Sequence, residues 1–175
     1  PLRLVGSEMC IRDRFKDHRV ILTPHNTADC EHLKLVSAVW SSVGAVVSTM
    51  SVDEHDSILA ATSHLPHFLA YSLVDTLASV GDNREIFRYA AGGFRDFTRI
   101  AASDPVMWRD IALANREPIL SILDQVMNNF QMLRGAIDKG DQDYLMDVFT
   151  RARDARNHFG KLLENKTLQG PVSYT

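Results

Sequence analysis

The chain has 175 residues, of which 45% are hydrophobic and 23% charged, ordinary globular values that allow one domain, or one domain with part of a second. Its formal net charge is −3 with both signs mixed along the sequence, which excludes a broad basic face for nucleic acid and a polybasic run for a membrane surface. No apolar run approaches the roughly 20 residues that span a bilayer.

Residues 1–14, PLRLVGSEMCIRDR, show neither helical nor strand periodicity and lack the apolar core of a signal peptide. They read as a non-native or disordered segment, because VGSEMCIRDR resembles a translated sequencing adapter, and the remainder then reads as a truncated reading frame. Cys10 and Cys30 have no CxxC spacing, and a reducing cytoplasm is their simplest setting. Residues 19–23 form a short β-branched run stopped by Pro24, which predicts a strand with an abrupt end. Thr27 or Asp29 can cap a helix to about Val43, with Leu33, Val36, Val39, Trp40 and Val43 at spacings of three and four, and Gly44 ends it. Residues 45–50 are again strand-like.

Ser51 to Glu54 is a capping box, and helical patterns follow to about residue 163. One helix is expected over residues 51–62. Another starts near Pro66 and carries Phe68, Leu69, Tyr71, Leu73, Val74 and Leu77, apolar enough around its circumference to be buried. Residues 85–89 suggest a short helix or turn. Asp104 followed by Pro105 signals a helix start, and Asn115 is expected to cap a longer helix with an apolar stripe from Ile119 through Ile122, Leu123, Val126, Met127, Phe130 and Leu133 to Ile137. Gly140 and Asp141 break it, and residues 144–163 offer the second arm of an αα-hairpin. The tail after Asn165 is polar with a Gly-Pro break and reads as a linker or disordered end.

Residues 91–110, AGGFRDFTRIAASDPVMWRD, stand apart from these core patterns. Gly92 and Gly93 permit backbone angles other residues avoid, and Asp96 precedes Arg99 by one helical turn, which places carboxylate and guanidinium on one face. Taken from the residues, this pair is more often a solvated surface ion pair than a binding device. Arg95 is a surface charge or a substitute cation. His64 and His67, in SHLPH at 63–67, flank Pro66 at an expected helix start, where exposed N–H groups favour an anion. The residues by themselves are as compatible with two hydrogen-bonded core histidines, the reading preferred for His67. A metal site built on His55, Asp56, His64 and His67 is disfavoured, because HxxH split by proline lacks the one-face geometry of HExxH. No GxGxxG, P-loop or nucleophile elbow is present.

With SHLPH and with ILTP at 21–24, the 91–110 run resembles the helical C-terminal domain of prephenate or arogenate dehydrogenases over about residues 15–165. The resemblance implies an all-α dimerisation and substrate-binding domain at 51–165, preceded at 15–50 by a β-strand-bearing remnant of an α/β Rossmann domain, with 166–175 as the tail. It implies NAD- or NADP-dependent oxidative decarboxylation of prephenate to 4-hydroxyphenylpyruvate in tyrosine biosynthesis, in a cytoplasmic homodimer. Arg99 then falls on the arginine that grips the substrate carboxylate, with Asp96, Trp108, Ser63 and Ser103 beside the site and His64 lining the pocket for substrate and for tyrosine as an inhibitor. The cofactor and the catalytic residues belong to a domain outside this sequence, so the chain alone is expected to be inactive and no metal is implied. The rival reading is a non-catalytic helical binding or interaction module of the same fold.

Overall fold

The computed structural model describes residues 15–25, 30–80 and 87–164. The expectations for residues 1–14, for the caps Thr27 and Asp29, for the start of the 85–89 turn and for the tail beyond residue 165 lie outside them. The chain divides into two compact units: residues up to His55 together with those from Gly135 onward, and Asp56–Arg134.

In the first unit, strand β1 (Arg19–Leu22), helix α1 (Cys30–Ser42) and strand β2 (Val46–Thr49) form a parallel βαβ unit. Arg19 pairs with Val46 and Leu22 with Thr49, the arrangement that requires a crossover rather than a tight turn. The Phe15 and Trp40 rings meet edge to face at 5.3 Å, tying α1 to the segment before β1. Gly44 ends α1 as expected. Its φ of 86° is accessible to glycine at little cost, and a Cβ there would lie 3.2 Å from the Cα of Lys16. The Gly44 carbonyl accepts from the Asp17 N–H at 2.9 Å.

Ser51 opens helix α2 (Val52–Leu59) by accepting the Glu54 N–H at 3.1 Å on its hydroxyl, the expected half of a capping box. The break expected before Pro66 is absent. Instead α2 widens into a π turn over Ala60–His64 and continues as α3 (Leu65–Ser79), with the Leu65 N–H donating to the Ala60 carbonyl five residues back. Proline has no N–H and its ring clashes with the carbonyl four residues earlier; a wider turn just ahead of it relieves that clash without stopping the helix. The helix N-terminus postulated as an anion site at His64 therefore does not exist, since the backbone there is already hydrogen-bonded within a continuous helix. Ala60 and Ala70 are buried, whereas Phe68, Leu69, Tyr71, Leu73, Val74 and Leu77 are only half-buried, short of the burial expected for α3.

Helix α4 (Gly92–Thr98) passes directly into a 3₁₀ turn (Arg99–Ala102), and both pack on α3. Gly92 and Gly93 keep ordinary helical backbone signs, and a Cβ on either would meet nothing within 4 Å, so the unusual angles expected of them are not used. Asp104 caps α5 (Pro105–Ala114) by accepting from Val106 N–H at 2.8 Å and Met107 N–H at 3.0 Å. Helix α6 (Arg116–Lys139) follows at once. It ends at Gly140, φ 66°, where the Asp141 N–H reaches the Ala136 carbonyl and the Gly140 N–H the Ile137 carbonyl, a Schellman termination. Asp141 then caps α7 (Gln142–Glu164) through Tyr144 N–H.

The stripe on α6 is covered in part. Ile119 is buried and Ile122, Leu123, Val126 and Leu133 are half-buried, but Met127, Phe130 and Ile137 are exposed. On α7, Met146, Phe149 and Phe159 are exposed as well.

Candidate functional site

The second unit gathers polar and aromatic side chains in its interior. His64 comes from the π turn, Trp108 from α5 and Asn115 from the junction of α5 and α6; they are 8%, 6% and 7% exposed. The Asn115 amide nitrogen donates to the Asp56 carbonyl at 2.8 Å and lies 3.1 Å from His64 Nδ1. Trp108 and Asn115 are seven residues apart, two turns along α5, and so lie on one side of it. His67 stacks on the Trp108 ring at 3.8 Å, while His64 and Phe68 meet that ring edge-on at 6.1 and 6.3 Å. His67 also donates through Nδ1 to the Ser63 carbonyl at 2.8 Å, in line with the structural role expected for it.

Among the described residues, two buried side-chain atoms in this interior have no hydrogen-bond partner: Trp108 Nε1 and Asn115 Oδ1. One is a donor and the other an acceptor. Leaving either unpaired costs about 1–3 kcal/mol, and native interiors rarely tolerate it without a ligand, a water or a function.

The 91–110 run places its residues differently from the simple picture. Arg99 and Asp96 are both exposed and form no ion pair with one another. The expected shared face is disturbed because the α-helix ends at Thr98 and Arg99 opens a tighter turn, while a surface pair has little energy with which to hold two long side chains together. That turn is itself anchored: the Tyr71 hydroxyl on α3 donates to the Ser103 carbonyl at 2.7 Å, and the Ser103 hydroxyl donates to the Ile100 carbonyl at 2.7 Å. Ser63 is half-buried on the π turn. The structure therefore brings His64 and Trp108 together and fixes the turn bearing Arg99, but leaves Arg99 and Asp96 at the surface.

Asn115 stands where the sequence puts it, immediately before α6, with its carbonyl accepting from the Ile119 N–H. It also terminates α5 through its own N–H to Ile111, and its side chain turns inward instead of capping. Among the described residues no group of three or more His, Cys, Asp or Glu side chains converges as metal ligands would. In the first unit, Pro24, His25, Ser51, Val52 and Asp53 line a crevice at the carboxyl ends of the two strands, where ligands of parallel sheets commonly lie.

The fold class is thus an α-helical domain with a buried polar and aromatic cluster, joined to a small parallel βαβ unit. Residues 51–151 match the family described as "Prephenate dehydrogenase, dimerization domain". The chain is 39% identical over 153 residues to the cyclohexadienyl dehydrogenase of Zymomonas mobilis, covering 86% of this chain and 52% of that one, and 37% identical over 144 residues to the prephenate dehydrogenase of Bacillus subtilis, covering 82% and 39%. Among solved structures it superposes, at TM-score 0.75 and 40% identity, on the Aquifex aeolicus prephenate dehydrogenase in complex with hydroxyphenyl propionate and NAD+, over 81% of this chain and 50% of that one. The chain belongs to the prephenate dehydrogenase family. It spans about half the length of these relatives or less.

Proposed function

We propose that this chain is the substrate-binding and dimer-forming half of an NAD- or NADP-dependent prephenate dehydrogenase, a cytoplasmic enzyme of tyrosine biosynthesis that converts prephenate to 4-hydroxyphenylpyruvate and carbon dioxide. The observation that carries the reading is the buried cluster with its orphaned Trp108 Nε1 and Asn115 Oδ1. A ring substrate bearing hydroxyl and carboxylate groups offers both an acceptor and a donor to these atoms. The Aquifex aeolicus relative holds a compound of that kind, hydroxyphenyl propionate. Arogenate is the alternative substrate of the same shape, and tyrosine, which keeps the ring and a carboxylate, is the natural inhibitor of such a site.

In this reading Arg99 clamps a carboxylate. Its guanidinium is exposed and free of ion pairs among the described residues, and the planar fork binds a carboxylate at two points. Asp96, Ser63 and Ser103 complete the proposed set, and His64 faces the ring end of the substrate. Residues 23–29, which follow β1, contain no glycine, unlike the Gly-rich turn that cradles a pyrophosphate. The cofactor, which takes up hydride, is assigned to a part of the parent enzyme outside this chain, and the residues present bind and orient the substrate.

Arg99→Ala, made in a protein carrying both halves, is expected to raise KM for prephenate about ten- to hundredfold, the worth of charge-assisted hydrogen bonds. The melting temperature should stay unchanged, because Arg99 is exposed. An unchanged KM contradicts the assignment.

A further inference from the structure

The geometry points to Asn115 as the residue that sets the tautomer of His64, holding the ring proton on Nε2. The Asn115 side-chain nitrogen is 2.8 Å from the Asp56 carbonyl oxygen and 3.1 Å from His64 Nδ1. A carbonyl oxygen can only accept, so the amide must present its NH₂ to Asp56. Reversing the amide would set two acceptor oxygens against each other in a buried site, an arrangement that costs the desolvation of both and returns no bond. With the NH₂ end fixed in this way, its second hydrogen faces His64 Nδ1. That nitrogen then has to offer a lone pair, and the proton resides on Nε2.

The backbone of Asn115 leaves the amide little freedom. Its N–H donates to the Ile111 carbonyl and its carbonyl accepts from the Ile119 N–H, so the residue is pinned between two helices. His67 provides an internal contrast, because its Nδ1 faces the Ser63 carbonyl at 2.8 Å and must carry the proton. Two histidines three residues apart on one helix, both against Trp108, are thereby held in opposite tautomers by different partners.

The consequence for binding rests on the reading of His64 as a substrate-facing group. An Nε2–H held in place is a directed donor for a hydroxyl or carboxylate oxygen, and Asn115 acts through His64 as a positioning residue.

Heteronuclear NMR of the histidine-labelled chain reads the protonation of each ring nitrogen directly and needs no substrate. The expected result is an unprotonated Nδ1 and protonated Nε2 for His64, with the reverse for His67. In Asn115→Asp the carboxylate can only accept, so the His64 proton moves to Nδ1. A wild-type His64 carrying its proton on Nδ1 overturns the proposal, as does an unmoved tautomer in a folded Asn115→Asp protein; if that variant does not fold, the wild-type spectrum decides. In a protein with both halves, Asn115→Asp should also raise KM by about tenfold or more. A shifted tautomer with unchanged KM leaves the role of Asn115 standing and counts against substrate binding by His64 instead.

Discussion

Trp108 is gripped by His67 on one face and met edge-on by His64 and Phe68, so it serves as the packing centre of the second unit as well as the owner of an orphaned N–H. Trp108→Ala should lower unfolding free energy by about 3–5 kcal/mol, the usual cost of emptying an aromatic core position, measurable by denaturant titration. A loss below about 1 kcal/mol would show that the ring is not the centre of packing it looks to be. Trp108 and His64 could be singled out through the family resemblance carried by the motifs they stand in, since the residues by themselves fit a packed core as well. Asn115 could not, since an asparagine between two helical patterns reads as a cap, and its partner His64 lies 51 positions away, beyond any local periodicity. Arg99 was legible as a surface cation one turn from Asp96, but the absence of an ion pair follows the switch from α-helix to 3₁₀ turn, which no residue type announces.

Among the elements, those governed by local chemistry follow their residues closely. Ser51 and Asp104 accept N–H groups at the helix starts expected of them, Asp141, expected only as part of a break, does so as well, and Gly44 and Gly140 take the positive φ that ends a helix. Asp104→Ala is expected to cost about 1 kcal/mol, as a lost N-cap does, and Gly140→Ala about 1–2 kcal/mol for forcing a Cβ into a left-handed backbone. Both can be checked by thermal unfolding, and a neutral Gly140→Ala would mean that the α6–α7 turn can re-form in another way. Gly93→Ala should do the opposite and stabilise α4 by a few tenths to about 1 kcal/mol, since nothing lies where its Cβ would sit. The two parallel strands were readable from β-branched runs. The π turn was not, because Pro66 reads as a stop wherever the helix could either end or widen, and only the packing of α3 chooses between these.

For the whole molecule, the decisive feature is how much large apolar surface one chain leaves uncovered. Phe130 on α6 is 55% exposed and Phe149 on α7 58%, and Met127, Ile137, Met146 and Phe159 accompany them. Exposed large apolar side chains of this kind mark interaction surfaces, and in the proposed dimer a second copy covers them. Phe130→Glu together with Phe149→Glu should convert a dimer into a monomer in sedimentation velocity at micromolar concentration, whereas a wild-type chain that is already monomeric there contradicts the dimer. The sequence carries the stripes but cannot say whether a neighbouring helix or a neighbouring chain covers them, since the periodicity is the same for both.

As proposed, this chain binds the substrate of a prephenate dehydrogenase whose cofactor is held elsewhere. The most direct test is prephenate-dependent reduction of NAD+ or NADP+ by this chain joined to the part of the Zymomonas mobilis relative that it does not span. Turnover that requires this chain and weakens through KM in Arg99→Ala is the predicted result; a folded, dimeric joined protein with no prephenate- or arogenate-dependent turnover would contradict the account.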